Sequence, residues 1–373
     1  MSIMLPTLPR GARRLTELAP ECLAAVRGES TWLAPATSIV LVLIDGLGAI
    51  QLRAHAGHAR RLAAAMSRRD QAATVLPSTT AAALTSLVTG AWPGEHGLVG
   101  YLVRDPETGR MINQLSGYEK QGPNPATWQR VPTVFERAAA LGHPVFAVGR
   151  AEYATSGFSA AVLRGAQYVA EDEVRSRLEV SYALAQQHAG AVVYCYLPEV
   201  DKAGHRNGVD SDAWRFALEG IDAAFAMTPP PGVGVLVTAD HGMIDAPAHR
   251  HVLLQAGDDR LDSVAQVGGE PRMLHLYLDE GADADAVAAT WRRLCADAAE
   301  VATRAEAVDA GLFGPVDPAV EPRIGDVLIA ARGLWAFYDD RVADKRSQKM
   351  IGQHGSVSPE ELTVPLIRLG AFA

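Results

Sequence analysis

The chain has 373 residues, of which 48% are apolar and 21% charged, and it carries a net charge of −9. That length and apolar share suffice for one large domain or two modest ones with a sizeable core. The acidic balance argues against a nucleic-acid polymer as the main partner, whereas bound cations would reverse the local field for a small anionic substrate.

Residues 1–22 contain arginines but no apolar run of signal-peptide length. No stretch approaches the roughly 18 apolar residues of a membrane span. The expectation is a cytoplasmic protein with no membrane partner, with a leaderless export route left open. The three cysteines, Cys22, Cys195 and Cys295, are few, odd in number and far apart, which gives no disulfide framework and no CxxC motif. Cys195 lies in an apolar strand pattern and is expected to be buried and inert.

In chain order, Ser38-Ile-Val-Leu-Val-Leu-Ile44 is a continuous apolar run ending at Asp45-Gly46. Such a run suits a strand buried on both faces of a parallel sheet. The runs 144–148, 191–197 and 232–238 have the same character. Helical patterns cover 80–89, 131–141, 170–188 and 211–227. This alternation predicts an α/β fold with a mostly parallel central sheet and helices on both faces. The texture changes after His241. Short strand signals at 273–278 and 326–330 flank a helix pattern over 285–302, and 363–369 again reads as a core strand. Residues 246–350 therefore read as an insertion, a small α+β cap. Residues 1–245 and 351–373 form the core.

Several residues at these strand ends suit one bimetallic centre. Asp45 closes the first buried strand, Asp240 closes another, and Asp201 follows a third within four residues. Ligands of open α/β sheets bind beyond the carboxyl ends of the strands. Each Asp alone reads as a cap or turn former. Together they crowd negative charge unless cations fill the gap. Asp201 and His205 are spaced i, i+4 and share a face if helical. Asp240 and His241 can converge on one ion in a turn that Gly242 permits. His354, in the tight turn Gln353-His354-Gly355, would complete a site with Asp201 and His205. Mixed imidazole and carboxylate ligands suit zinc, or manganese where oxygen dominates. Thr80 opens the apolar segment 81–90. A Thr there is ordinarily an N-cap, but a helix start also offers free N–H groups to an anion. A metal-bound hydroxyl at that place could ionise and attack phosphorus.

Other signals are weaker. Asp45-Gly46-Leu47-Gly48 is half a dinucleotide fingerprint with its third glycine missing and an acid that repels pyrophosphate. His55, His58, His249 and His251 read as surface residues, and His96 as structural.

The segments Leu43-Ile44-Asp45-Gly46, Thr80 with Gly90 ten residues on, Trp92-Pro93 with His96-Gly97, Pro198 to His205, Thr238 to Met243, and Gly352 to Gly355 resemble the alkaline phosphatase superfamily. They most resemble its nucleotide pyrophosphatase/phosphodiesterase (type I phosphodiesterase) branch. The closing Val364-Pro-Leu-Ile367 also fits, so the resemblance spans about residues 38–369. It implies an alkaline phosphatase-like core and two divalent metal ions, with zinc favoured over manganese. One ion would be held by Asp201, His205 and His354, the other by Asp45, Asp240, His241 and the Thr80 oxygen. The family register selects Thr80 as nucleophile over Ser78 and Thr79. The family's phosphodiesterases usually place an Asn near the nucleophile to bind a phosphoryl oxygen. No Asn lies between Thr80 and Tyr101, and Tyr101 is the candidate substitute. No sulfatase Cys/Ser-x-Pro-x-Arg motif occupies the segment. The implied reaction is hydrolysis of a small phosphate diester or nucleotide through a phosphoryl-threonine. Rivals are a phosphomonoesterase or phosphonate hydrolase, for which Arg150, Lys202 and Arg206 are candidate extra cations, and a metal-stabilised binding protein without activity.

Overall fold

The computed structural model describes residues 3, 12–67, 69–119 and 122–373. The leader reading of residues 1–22 falls in part on residues 1, 2 and 4–11, outside the described residues.

Ten strands position the site. Five come first in the chain: β1 (Ser38–Ile44), β2 (Val145–Gly149), β3 (Gln167–Ala170), β4 (Val192–Leu197) and β5 (Val233–Thr238). Four follow within the predicted insertion: β6 (Val264–Glu270), β7 (Met273–Leu278), β8 (Ala299–Thr303) and β9 (Val327–Ala331). The last is β10 (Ile367–Gly370). The central sheet runs β10-β5-β1-β4-β2-β3, parallel except for the edge strand β10. β1 is buried at every position, and β4 and β5 flank it. A strand covered on both faces needs such an unbroken apolar run, because alternate side chains meet packed elements above and below.

Seven helices matter here: α1 (Leu15–Val26), α2 (Thr80–Thr89), α3 (Val134–Ala140), α4 (Val174–Gln187), α5 (Glu199–Asn207), α6 (Asp212–Ala224) and α7 (Ala284–Leu294). α1 packs on β1 and against α2 and α3, whereas α4 lies along β1, β2 and β4 and supports α6. Local chemistry sets the boundaries. The Thr133 hydroxyl and the Glu136 carboxylate form a capping box at the start of α3. The Ser211 hydroxyl accepts the Trp214 N–H at 3.1 Å to open α6. Gly90 closes α2 in the left-handed region at φ 71°. Among the described residues, no helix is long and apolar enough to cross a membrane.

A second sheet, antiparallel in the order β6-β7-β9-β8, lies within residues 264–331. α7 packs on it, and an apolar cluster including Leu276, Trp291, Ile329 and Phe337 is separate from the main core. Ile244–Asp245 and Gly352–Gln353, at the two ends of the predicted insertion, form a short antiparallel ladder, and Met273, Ala302, Leu328 and Ala330 belong to the same apolar cluster as β1.

Three boundaries differ from the sequence pattern. The helix pattern over 285–302 ends at Leu294, and Ala299–Thr303 becomes β8. Pairing with β9 overrides the helix propensity of an alanine-rich stretch. The helix pattern at 170–188 starts only at Val174, because residues up to Ala170 pair with β2 as the edge strand β3. The run 363–369 splits at Pro365. Thr363–Pro365 pairs with Gln71–Ala73, and only Ile367–Gly370 joins the central sheet, as expected of a residue that cannot donate to a ladder.

Arg272, at the hairpin between β6 and β7, ties this second sheet to the main body. Its guanidinium donates to both Glu361 carboxylate oxygens, at 3.1 and 2.7 Å, and to the carbonyls of Gly333 and Trp335. Both side chains are fully buried. Burial alone would raise the Glu361 pKa, but Arg272 and the Ser356 N–H hold it below the ordinary value. Glu361→Ala leaves a buried guanidinium without its counter-charge. The expected loss is about 3–5 kcal/mol of stability, read from urea unfolding; a loss under about 1 kcal/mol, the size of an exposed pair, would show that the clamp carries little.

Candidate metal centre and active site

The register of the central sheet brings the predicted acids to one rim. Ile44 lies beside Leu197, and Leu43 beside Thr238, so β1, β4 and β5 end level. Asp45 follows β1 directly, Asp240 follows β5 by two residues, and Asp201 sits in the first turn of α5 just beyond β4. Gly46 has φ 72°, and a Cβ there would lie 3.0 Å from the Asp201 Cα, so glycine lets α5 close onto the β1 end. At Gly242 the need is for space: a Cβ would lie 2.0 Å from the Glu360 carbonyl oxygen.

Two groups of side chains result. Asp201 Oδ1 lies 3.3 Å from His205 Nε2 and 3.9 Å from His354 Nε2, and the two imidazole nitrogens are 3.2 Å apart. His241 Nε2 lies 3.5 Å from both Asp45 Oδ1 and Asp240 Oδ2, and 3.2 Å from Thr80 Oγ1. The His241 and His354 rings stack at 3.6 Å between centroids, which joins the groups. Asp201 falls within metal-ligand spacing of both groups, meeting Asp45 and His241 as well as His205 and His354. The structure thus gathers all seven predicted ligand side chains at one place.

The polar bookkeeping of this cluster fits cations. Each histidine spends its Nδ1 on a backbone carbonyl: His205 on Gly352 at 2.8 Å, His354 on Ser78 at 2.9 Å, and His241 on Gly242 at 3.1 Å. An Nδ1–H donating to a carbonyl fixes the tautomer that presents Nε2 as a lone pair, the usual arrangement of a metal-ligating histidine. Asp45 Oδ1, Asp201 Oδ1 and Asp240 Oδ2 are buried and accept no hydrogen bond, although buried polar atoms are nearly always paired. These are the oxygens that face the Nε2 atoms. The second oxygens of Asp240 and Asp45 are anchored. Asp240 Oδ1 accepts the N–H groups of His241 at 3.0 Å and Gly46 at 3.2 Å, and Asp45 Oδ2 accepts the Tyr196 hydroxyl. Burial, then the charges of Asp240 and Asp201, raise the Asp45 pKa well above the carboxylate range. Burial, then His241 and His205, push His354 well below the imidazole range. Three acids and three imidazoles gathered this closely have the donor chemistry of a candidate cation site.

The three competing hydroxyls separate. The Ser78 hydroxyl donates to the Ser356 carbonyl at 2.8 Å and accepts the Gly355 N–H at 3.2 Å. Thr79 is the residue flanking α2 on its N-terminal side and is buried. Thr80 is the first residue of α2, meets His241, and lines a cavity of about 230 Å³ that opens beside the acids. The first backbone bond of α2 runs from the Ala83 N–H to the Thr79 carbonyl. The N–H groups of Thr80, Ala81 and Ala82 therefore precede it and have no acceptor one turn back.

Four tyrosines and a phenylalanine wall the cavity: Tyr153, Tyr168, Tyr194, Tyr196 and Phe158. Among the described residues Lys202 is its one cationic lining residue, and its ammonium sits on Glu152 at 2.7 Å and over the Tyr153 ring. Arg150 is likewise paired with Glu152, at 2.9 Å, and Arg206 is exposed. Tyr101 is not among the lining residues. It is 39% exposed, and its backbone N–H donates to Glu270 Oε2 at 2.9 Å. Glu270 is buried against Gly355, and burial raises its pKa to about 8.

The aromatic wall and the Tyr196–Asp45 bond have no motif in the sequence. The available signal was the alternation Tyr194-Cys195-Tyr196, which puts both rings on one face of β4. His96 is structural: Nε2 meets the Ser86 hydroxyl at 2.9 Å and Nδ1 accepts the Leu98 N–H at 3.1 Å. Of the remaining histidines, His249 is exposed, whereas His55, His58 and His251 are half-buried. The three cysteines are buried and free.

A fold with acids and imidazoles at the carboxyl ends of a parallel sheet, beside a hydroxyl at a helix start, defines a class of phosphoryl-transfer hydrolases. Residues 39–357 match the family model for type I phosphodiesterase/nucleotide pyrophosphatase. The chain belongs to that family, within the alkaline phosphatase superfamily, and is a hydrolase of phosphoester or pyrophosphate bonds. No curated protein matches the sequence. Among solved structures, human ectonucleotide pyrophosphatase/phosphodiesterase 5 superposes with TM-score 0.69 at 15% identity, over 89% of this chain and 88% of that one. The murine protein, inactive and in complex with AMP, gives TM-score 0.66 at 16% identity, over 90% and 88%. Phosphonoacetate hydrolase from Sinorhizobium meliloti 1021, in complex with phosphonoacetate, gives TM-score 0.68 at 20% identity, over 91% and 94%. At these identities the likeness is one of fold.

Proposed function

We propose that the chain is a two-metal phosphodiesterase/nucleotide pyrophosphatase that hydrolyses small phosphate diesters through a phosphoryl-threonine on Thr80. The observation that carries this reading is the convergence of three unpaired carboxylate oxygens and three imidazole Nε2 atoms beside the Thr80 hydroxyl. Asp201, His205 and His354 would hold one divalent cation and Asp45, Asp240, His241 and Thr80 the other, with Asp201 close to both and zinc favoured by the mixed ligands. Such cations would supply Lewis-acid charge neutralisation for the acids, the substrate and an ionised hydroxyl.

The protein's own groups perform the rest. Thr80 Oγ1 bonds to phosphorus as the bond to the leaving oxygen breaks in line, and water then cleaves the threonine ester in a second displacement. The free N–H groups at the start of α2 are placed to receive a phosphoryl oxygen, the role for which the sequence suggests Tyr101. The aromatic cavity takes the esterified substituent and shields it from water. The second sheet, within 246–350, acts as a cap whose Arg272–Glu361 clamp steadies the turn that presents His354.

Charge at the cavity favours a diester over a monoester. A monoester brings an additional negative charge, and among the described residues the one cation lining the cavity, Lys202, already places its ammonium on Glu152, a carboxylate it shares with Arg150. The rival phosphonate hydrolase keeps one specific support, the fold shared with phosphonoacetate hydrolase. A panel of a chromogenic diester, a nucleotide ester, the matching monoester and phosphonoacetate separates them. Diester kcat/KM should exceed monoester kcat/KM by at least about 100-fold, or about 2.7 kcal/mol. Preferred turnover of the monoester or of phosphonoacetate would reverse the assignment.

A further inference from the structure

We propose that Tyr196 is a positioning residue of the metal centre: its hydroxyl, donated to Asp45 Oδ2, turns Asp45 Oδ1 toward His241 and keeps that carboxylate ready for a cation. The inference rests on the two-metal reading above. It adds a residue that is neither a ligand nor a nucleophile.

Four observations support it. First, β4 pairs with β1 so that Tyr196 lies beside Leu43, two residues before Asp45, and its ring reaches the strand end. Second, the two Asp45 oxygens have unequal fates. Oδ2 accepts the Tyr196 hydroxyl, whereas Oδ1 is buried, accepts nothing and faces His241 Nε2 at 3.5 Å. A carboxylate anchored through one oxygen presents the other in a fixed direction. A free one rotates or offers both. Third, the Tyr196 ring is itself held. Tyr153 meets it edge-on at 5.8 Å and Tyr194 lies nearly parallel to it at 6.4 Å. Fourth, Tyr194 provides an internal control. It shares the strand face and the cavity wall, yet its buried hydroxyl has no partner. Two similar rings thus stand side by side, and only one of them uses its oxygen.

Partners of this kind fix ligand orientation, and their loss costs about 10- to 100-fold in metal affinity. The test compares zinc-loaded wild type, Tyr196→Phe and Tyr194→Phe by titration with a zinc chelator, reading zinc content directly. Tyr196→Phe should release one of its two equivalents at roughly 10- to 100-fold lower chelator, and Tyr194→Phe should follow wild type. A double-mutant cycle with Asp45→Asn separates positioning from general damage, since residues acting as a unit are not additive. Tyr196→Phe should change zinc affinity little once Asp45 is Asn. Wild-type affinity in Tyr196→Phe would overturn this inference alone, as would equal loss in Tyr194→Phe or additive effects in the cycle. A wild-type protein that takes up no zinc would overturn the two-metal reading and this inference with it.

Discussion

Thr80→Ala should abolish diester turnover while leaving zinc content nearly unchanged. The expected fall in kcat is at least about 1,000-fold, or about 4 kcal/mol of lost transition-state stabilisation. The reason is positional. Of three adjacent hydroxyls, Ser78 is bound to the 355–356 backbone and Thr79 is buried beside the helix start, whereas Thr80 stands at His241 and on the cavity wall. The ligand set keeps three acids and three imidazoles in the variant, so metal uptake should persist. The fold should persist as well, because the Thr80 hydroxyl meets the His241 ring and the cap position of α2 is held by Thr79. Wild-type-like turnover in Thr80→Ala would move the nucleophile to Thr79 or Ser78. Ser78→Ala, by contrast, should act through stability, since it removes two bonds to the turn that follows His354.

Metal removal should have the second large effect, on activity and stability together. Dialysis against a chelator is expected to stop diester turnover, and added zinc to restore it. The physical reason is the buried acid cluster: three carboxylate oxygens without hydrogen bonds are tolerated far better with cations against them. Ligands that bind only the folded state stabilise it by mass action, about 4 kcal/mol at a thousandfold excess over Kd. The zinc-loaded protein should therefore melt several degrees above the metal-free form. Full activity after exhaustive chelation, or identical melting with and without zinc, would contradict the assignment.

The strands and the clustering of the candidate ligand side chains were more legible in the sequence than the surroundings of the site. The unbroken apolar runs ending at Asp45 and at Asp240 read correctly as β1 and β5, because a strand covered on both faces leaves no other pattern. Spacing placed Asp201 and His205 on one face of α5, where they stand 3.3 Å apart. Other elements depended on tertiary pairing that local pattern does not encode. The helix pattern over 285–302 loses Ala299–Ala302 to pairing with β9, and the pattern over 170–188 loses Ala170 to pairing with β2. The same applies to the residues that contact the candidate ligands. Tyr196 reaches Asp45 across 151 residues of chain, and Glu270 reaches Tyr101 across 169. Tyr101, the candidate the sequence offers for a phosphoryl contact, is absent from the cavity wall, which is drawn instead from Tyr153, Phe158, Tyr168, Tyr194 and Tyr196. Those aromatics carry no motif, because a wall needs only bulk and a flat face.

The most direct measurement is a crystal structure of the zinc-soaked protein with anomalous data collected at the zinc edge. Two peaks should appear, one among Asp201, His205 and His354, the other among Asp45, Asp240, His241 and the Thr80 oxygen. A single peak, or density away from both groups, would contradict the two-cation centre on which the catalytic role of Thr80 depends.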